Sequence, residues 1–528
     1  MKFKTTFYIV CLVLATTVKG VAAESRTSID RHALVMRHNI EWNDPAGVIP
    51  LGNGEFCFNA DGTGLQTLGG VTLSHWGWHS DPLPADWTAD RVPPTGTFQK
   101  GRNRGYDNFP QGTDAIGKWM FKNPHTLNLG RLRLCKAGGE ALKPTEISGL
   151  VRKMDLWSGV QTSSYQVNGE PVRVETSVHP TLDAVVVRIE SPLVARGELQ
   201  LALDFPGPSG SQTELTRTGK TRFTFLRTVD AATYHVGLSW SSGGTLTESG
   251  DHYCLSAKGA KQLEWVCAFS PAKIPNRLPT AKKVFAATAK HWNTFWSTGG
   301  AIDLSGSKDP RWMELERRIV LSQYQMAAQS AGSWPSSESG LMGNDGWNGQ
   351  FHMEMVWWHL AHYALWDRWS MSEKALGCYQ RFTPAARALA AQLGYAGLKW
   401  PKSVGPEGRS APWAGNQVLL WKQPHPIFFA ELDYRLHPTR ATLDKWADVV
   451  QGTAEHMADY PTRDETTGKY SLVPVMPPSE IGVTRDTVFD LAYWRFGLDN
   501  RTFAIRGGKR LFSPSLPLKT PMILVFSS

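Results

Sequence analysis

Between residues 161 and 269 eight short segments alternate apolar and polar residues, and beyond residue 309 that period of two gives way to a helical one. No other feature narrows the fold as much. Side chains that point to opposite faces at successive positions cannot also form a 3.6-residue stripe, so the two halves need different architectures. The alternating pieces are 161–167 (QTSSYQV), 172–178 (VRVETSV), 182–189 (LDAVVVRI), 199–205 (LQLALDF), 222–226 (RFTFL), 232–239 (ATYHVGLS), 251–256 (DHYCLS) and 262–269 (QLEWVCAF). Gly, Asn, Asp and Ser separate them. Many short strands between turn signals predict a large antiparallel β-sandwich over 30–270.

Residues 271–308 read as a linker with one helix over 279–297. A helical domain is expected over 309–500, with helices at 311–330, 351–368, 372–393, 426–436, 441–460 and 488–496. The helix at 351–368 is apolar nearly all round and is expected to be buried. In a double ring of helices, the inner ends of such helices line a cavity. Residues 501–528 lack helical period. They are expected to form either a C-terminal extension or a departure from a longer parent chain.

The chain starts with a basic, then apolar, then small-residue stretch. Lys2 and Lys4 precede the apolar run 7–14, and Val21, Ala22 and Ala23 follow it. That is the pattern of a signal peptide over 1–23, and it predicts a secreted or periplasmic protein with no membrane span once the leader is removed. The formal charge of +9 includes Lys2, Lys4 and Lys19 of the leader. The remaining bias is small and dispersed, which argues against a nucleic-acid partner. Outside the leader, Cys57, Cys135, Cys254, Cys267 and Cys378 have room for one disulfide and no metal-finger spacing. The 22 Trp are unusual. Indole packs in cores, and it also stacks on the apolar faces of sugar rings, so an oligosaccharide or glycoside is the expected partner.

The densest polar stretch is 343–359, GNDGWNGQFHMEMVWWH, a glycine-rich loop running into the apolar helix. Asn348 or Asp345 is placed to cap that helix. Gln350, Glu354 and Trp358, spaced by four, share one helical face, while His352 lies round the other side toward Asn348 and His359. Glu354 among so many Trp loses solvation unless it meets a partner or ligand; the plainer alternative is that it only complements the helix dipole. A second acid, Glu480, ends 470–480 (YSLVPVMPPSE). Pro477 and Pro478 bar helix there and present Glu480 on a rigid loop; the alternative is capping by Ser479. Cleavage of a glycosidic bond uses one carboxylic acid on the leaving oxygen and usually a second carboxylate on water or carbon. Glu480 as acid, with its pKa raised by burial, and Glu354 as its counterpart are therefore the catalytic candidates. His352, Asn348, Gln350, Trp347, Trp357, Trp358 and Trp413, the last in the loop 405–416, are the sugar-binding candidates. No metal and no cofactor are expected: HExxH is absent, His352 and Glu354 diverge on a helix, and His359 and His362 lack a third ligand. GxSxG, Walker and dinucleotide motifs are absent as well.

The order of these parts resembles the six-hairpin glycosidases, which join a super-β-sandwich, a helical linker and an (α/α)6 barrel. Within them the chain resembles the inverting alpha-L-fucosidase-like hydrolases, and more distantly the maltose-phosphorylase-like enzymes. The PLGNG of residues 50–54 resembles the opening of the fucosidase sandwich. Residues 350–358 (QFHMEMVWW) resemble that family's catalytic helix, and Pro478-Ser479-Glu480 its segment with the general-acid Glu. The resemblance implies a multidomain β + α fold and an exported glycoside hydrolase of inverting type. The alternatives are a glycoside phosphorylase of the same fold or a truncated, non-catalytic sugar-binding homologue. His352 and Glu354 stand where the family has two Asn, so fucose specificity does not carry over. About half of the barrel helices are missing, and with them the region that bears a further catalytic carboxylate.

Overall fold

The computed structural model describes residues 28–88, 115–208, 210–241, 243–250, 252–275, 277–343, 347–411, 415–480 and 482–500. The expected leader, Asp345, Trp413 and the tail at 501–528 lie outside the described residues.

All eight alternating segments form strands. The central sheet has nine antiparallel strands in the order Ile40–Glu41, Ile147–Asp155, Val160–Val167, Glu170–Val178, Ala184–Glu190, Gln262–Ser270, Ala232–Trp240, Arg222–Val229 and Gln212–Gly219. A four-stranded sheet, Thr245–Ser249, His252–Ser256, Leu199–Asp204 and Arg131–Lys136, shares one apolar core with it. Alternation fails in one informative place, the run Ala184–Val187, whose residues are all buried. Val185 and Val187 face the sandwich core, whereas Ala184 and Val186 face Ala281 and Val284 of the helix Ala281–Ser297. A strand covered on both faces needs apolar residues at every position. The five described cysteines are all buried thiols, and Sγ of Cys135 and Cys254 lie 3.7 Å apart across the strand that carries Ala202.

The second half is helical: Trp312–Gln329, Val356–Leu365, Trp369–Leu376, Cys378–Gln392, His425–Leu436, Arg440–Asp459 and Val488–Asn500. The molecule is thus an antiparallel sandwich followed by a helical domain with its own core. The PLGNG turn couples the two. Strand Ile49–Gly52 packs on helix Trp312–Gln329, and the Gly54 amide donates to Ala328 O at 2.9 Å. A Cβ on Gly52 would lie 2.0 Å from that same carbonyl oxygen. The first Gly of the motif is therefore required by the close approach of helix to strand.

Three expectations need correction. The helix expected from 351 starts at Val356, because Phe351 and His352 pair instead with Val404 and Ser403. The helix expected over 372–393 is two helices that meet at Gly377. The helix Val356–Leu365 is not buried all round, since Trp358 and Leu365 are exposed. No helix among the described residues is long and apolar enough to cross a membrane.

Candidate active site

Glu354 is held by a turn, not by a helical stripe. Asn348 and Gly349 have φ of 60° and 73°, which reverses the chain after Trp347. The short ladder Phe351–Val404 and His352–Ser403 follows, extended by donation from the Met353 amide to Lys402 O at 2.7 Å. That register sets Glu354 beside Lys402. The Gln350–Glu354–Trp358 face expected from helical spacing therefore does not form, and Trp358 points to solvent while Glu354 is buried.

The loop carrying Glu480 is clamped on both sides. The Met476 amide donates to Val418 O, and Val475 and Thr484 exchange backbone hydrogen bonds. The Glu480 amide closes a turn onto Pro477 O at 2.9 Å, and Glu480 itself has φ 56°. A left-handed conformation at a residue other than Gly, Asn or Asp costs about 1–3 kcal/mol and persists only where its surroundings enforce it.

Lys402 joins the two acids. Its Nζ lies 2.9 Å from Glu354 Oε1 and 2.6 Å from Glu480 Oε1. One oxygen of each carboxylate is thus no farther from the other than the sum of those contacts, so the two acids share one site. The expected burial of Glu480 is not found: its side chain is 36% exposed, against 8% for Glu354. The Lys402 ammonium also sits 4.6 Å from the Trp347 ring centroid, a favourable cation–π distance.

The cations around these acids are the part that sequence reasoning missed. Lys399, Lys402 and Lys422 are all buried. Burial lowers the Lys422 pKa to about 7, with Glu354 opposing the shift, and its Nζ donates to Leu419 O. Lys399 is pushed well below the ordinary lysine value, by burial and then by Lys422. Burial works against the charge on Lys402 too, but Glu354 and Glu480 outweigh it and raise its pKa. The pKa of Glu354 is raised by burial despite Lys402 and Lys422, and that of Asp490 rises to about 6 by burial. Burial holds the His425 pKa down at about 3, and the neutral ring donates from Nε2 to Glu354 O at 3.0 Å and accepts at Nδ1 from Tyr493 Oη at 2.9 Å. The available signal was Lys in apolar, Trp-bearing stretches, LKWPK at 398–402 and LLWKQ at 419–423, where a solvated side chain is out of place.

The remaining candidates divide. Trp347 belongs to the site through Lys402 and meets the His352 ring edge-on at 5.5 Å. His352 is fully buried, with Nδ1 3.2 Å from Gln350 O and Nε2 3.9 Å from Glu338. Gln350 is buried beneath the same turn. Asn348 braces the sandwich, donating to Phe121 O and accepting from the Thr126 amide. Trp357 packs on Phe428 in the helical core.

No protein-family model and no curated protein sequence matches the chain. Solved structures do. A proposed kojibiose phosphorylase from the human microbiome superposes with TM-score 0.65 at 12% identity, covering 88% of this chain and 64% of that one. A GH92 family glycosyl hydrolase superposes with TM-score 0.44 at 11% identity, covering 90% of this chain and 61% of that one. A bacterial glucoamylase gives 0.42 at 10%, covering 73% and 62%. The chain spans less than two thirds of the length of each. At these identities the likeness reaches the fold alone and selects no family: the protein shares its sandwich-then-helical fold with the first of these structures.

Proposed function

We propose that the protein transfers a glycosyl group between a glycoside and inorganic phosphate. The observation that carries this reading is the cluster of buried lysines at the acids: Lys402 bridges Glu354 and Glu480, with Lys422 behind them. A hydrolase needs carboxylates and water at the scissile bond, and buried lysines there are a liability. An anionic co-substrate would favour the charged form of Lys422 and accept charge-assisted hydrogen bonds there. In this reading Glu480 donates its proton to the glycosidic oxygen as the bond from that oxygen to the anomeric carbon breaks. A phosphate oxygen forms the new bond to the same carbon, and no second carboxylate is needed to activate water. Glu354 then holds Lys402 in position. The fold likeness to a protein proposed as a kojibiose phosphorylase supports this direction, and it makes α-linked glucose disaccharides the first substrates to try.

The test is incubation of the full chain with kojibiose and related disaccharides, with and without orthophosphate, read by phosphorus NMR. Sugar phosphate that forms only with added phosphate is expected. Reducing sugar released at the same rate without phosphate would return the site to hydrolysis. A second reading, sugar binding without turnover, is favoured by one feature: Lys402 occupies the space between the two acids. Saturable disaccharide binding with no product under either condition would select it.

A further inference from the structure

A second polar cluster lies away from Lys402, where the hairpin Trp78–His79 and His125–Thr126 leaves the sandwich. His79 and His125 are directly opposed across that ladder, with His79 Nδ1 3.0 Å from His125 Nε2. Their outer nitrogens are already committed. His79 Nε2 lies 2.6 Å from Asp230 Oδ2, and a carboxylate only accepts, so His79 carries its proton there. His125 Nδ1 lies 3.2 Å from Asn123 Oδ1. That oxygen is identified by its partners: it accepts from the Asp81 amide at 2.8 Å while Nδ2 donates to Trp119 O. His125 Nδ1 must therefore be a donor. Both inner nitrogens then present lone pairs to each other at 3.0 Å, a repulsive contact unless a cation lies between them.

We propose that His79 Nδ1, His125 Nε2 and the Asp81 carboxylate bind a divalent transition ion of the zinc class, with Asp230 and Asn123 fixing the two imidazole tautomers. One ligand atom from each of His79, Asp81 and His125 lies within 4.8 Å of the others. Two imidazole nitrogens on a tetrahedral zinc stand roughly 3.3 Å apart, given Zn–N bonds of about 2.0–2.1 Å, so the rings need to separate by only tenths of an ångström. Carboxylate-to-histidine support on the far nitrogen is the usual companion of a metal-bound imidazole. Asp81 rests on Lys122, an exposed lysine that can swing aside. A second proton on the ring pair is the competing cation. The ion would stiffen the strand whose Thr126 amide donates to Asn348 O, and so would back the loop that leads to Glu354. This inference does not depend on phosphorolysis.

The test uses the full chain made without a polyhistidine tag, stripped by chelator and reloaded with zinc or cobalt. One equivalent is expected, with a cobalt spectrum of nitrogen and oxygen ligands and no thiolate charge transfer, which separates this site from the buried cysteines. The double variant His79→Gln/His125→Gln should lose binding. Asp230→Asn should weaken it about 10–100-fold, and that affinity decides the matter if the double variant fails to fold. A folded, stripped chain that takes up neither metal, a thiolate-type cobalt spectrum, or unchanged affinity in the Asp230 variant would overturn the site and leave a shared proton between the rings.

Discussion

Both halves of the molecule bury arginines, and among the described residues the helical half adds buried lysines. The sandwich buries arginines. Arg152 donates to Trp42 O at 2.8 Å and Gly47 O at 2.6 Å and lies over the Trp42 ring; Arg227 pairs with Thr213 over the Phe205 ring; Arg133 pairs with Asp204. The helical domain buries Arg368 in the same way, donating to Phe295 O and Thr298 O, and adds lysines, with Lys402 against two acids and Lys422 disfavouring the charge on Lys399. Guanidinium stays charged and matches carbonyls and rings with a rigid fork, so it suits permanent internal scaffolding. Ammonium changes its protonation readily when buried. The contrast teaches that the buried arginines are structural, whereas the buried lysines are the groups that, in the proposed reading, respond to an added ion.

The strongest way to break this contrast is Glu480→Gln. Turnover to sugar phosphate should fall about 10²–10⁴-fold, with the far-UV circular dichroism spectrum unchanged. An unchanged rate would remove Glu480 from the acid role. Next in size is Lys402→Met, which leaves Glu354 buried beside an apolar group and should cost about 3 kcal/mol in urea unfolding. Adding Glu354→Gln should restore a large part of that loss, and a double variant no more stable than the single one would deny the coupling. On the sandwich side, Arg152→Met should cost about 1–3 kcal/mol, because two buried carbonyls lose their donor. It should leave phosphate-dependent turnover per folded molecule intact; a loss of activity beyond the loss of folded protein would erase the distinction between the halves. Taken over one pH unit, the smallest effect is in pH. With the Lys422 pKa at about 7 in the folded chain and near ~10.4 unfolded, the unfolded state binds more protons between those values. Stability should therefore rise with pH across that window, by up to about 1.4 kcal/mol per pH unit, and should level off as pH falls below 7. Unfolding at a series of pH values should show that slope in the natural chain and a flatter one in Lys422→Met.

How far the residues announce this structure varies from place to place. Strands such as Val160–Val167 were legible because one face is buried and the other is not. Ile147–Asp155 was not, because a bulge between Ser148 and Val151, with Gly149 at φ 62°, interrupts the alternation. The start of the helix at 356 was misread because helical spacing says nothing of a competing partner, here Ser403–Val404, some fifty residues away in the chain. Glu354 and Glu480 could be singled out from local chemistry, and the need of Glu354 for a partner could be stated. That the partner is Lys402 depends on ladder register, which no local pattern carries, and the burial of Lys422 is signalled locally only by its apolar, Trp-bearing stretch. The likeness of domain order to six-hairpin glycosidases was legible, and the solved structures bear out the fold.

The most direct measurement is calorimetric titration of orthophosphate into the full chain at about pH 8 in two buffers of different ionisation enthalpy. Binding accompanied by proton uptake is expected, because an anion beside Lys422 favours its charged form. In Lys422→Met the uptake should disappear and the affinity should drop at least about tenfold, equivalent to ~1.4 kcal/mol. No phosphate binding, or binding with the same affinity and proton balance in the variant, would contradict an anion-receiving role for the buried lysines.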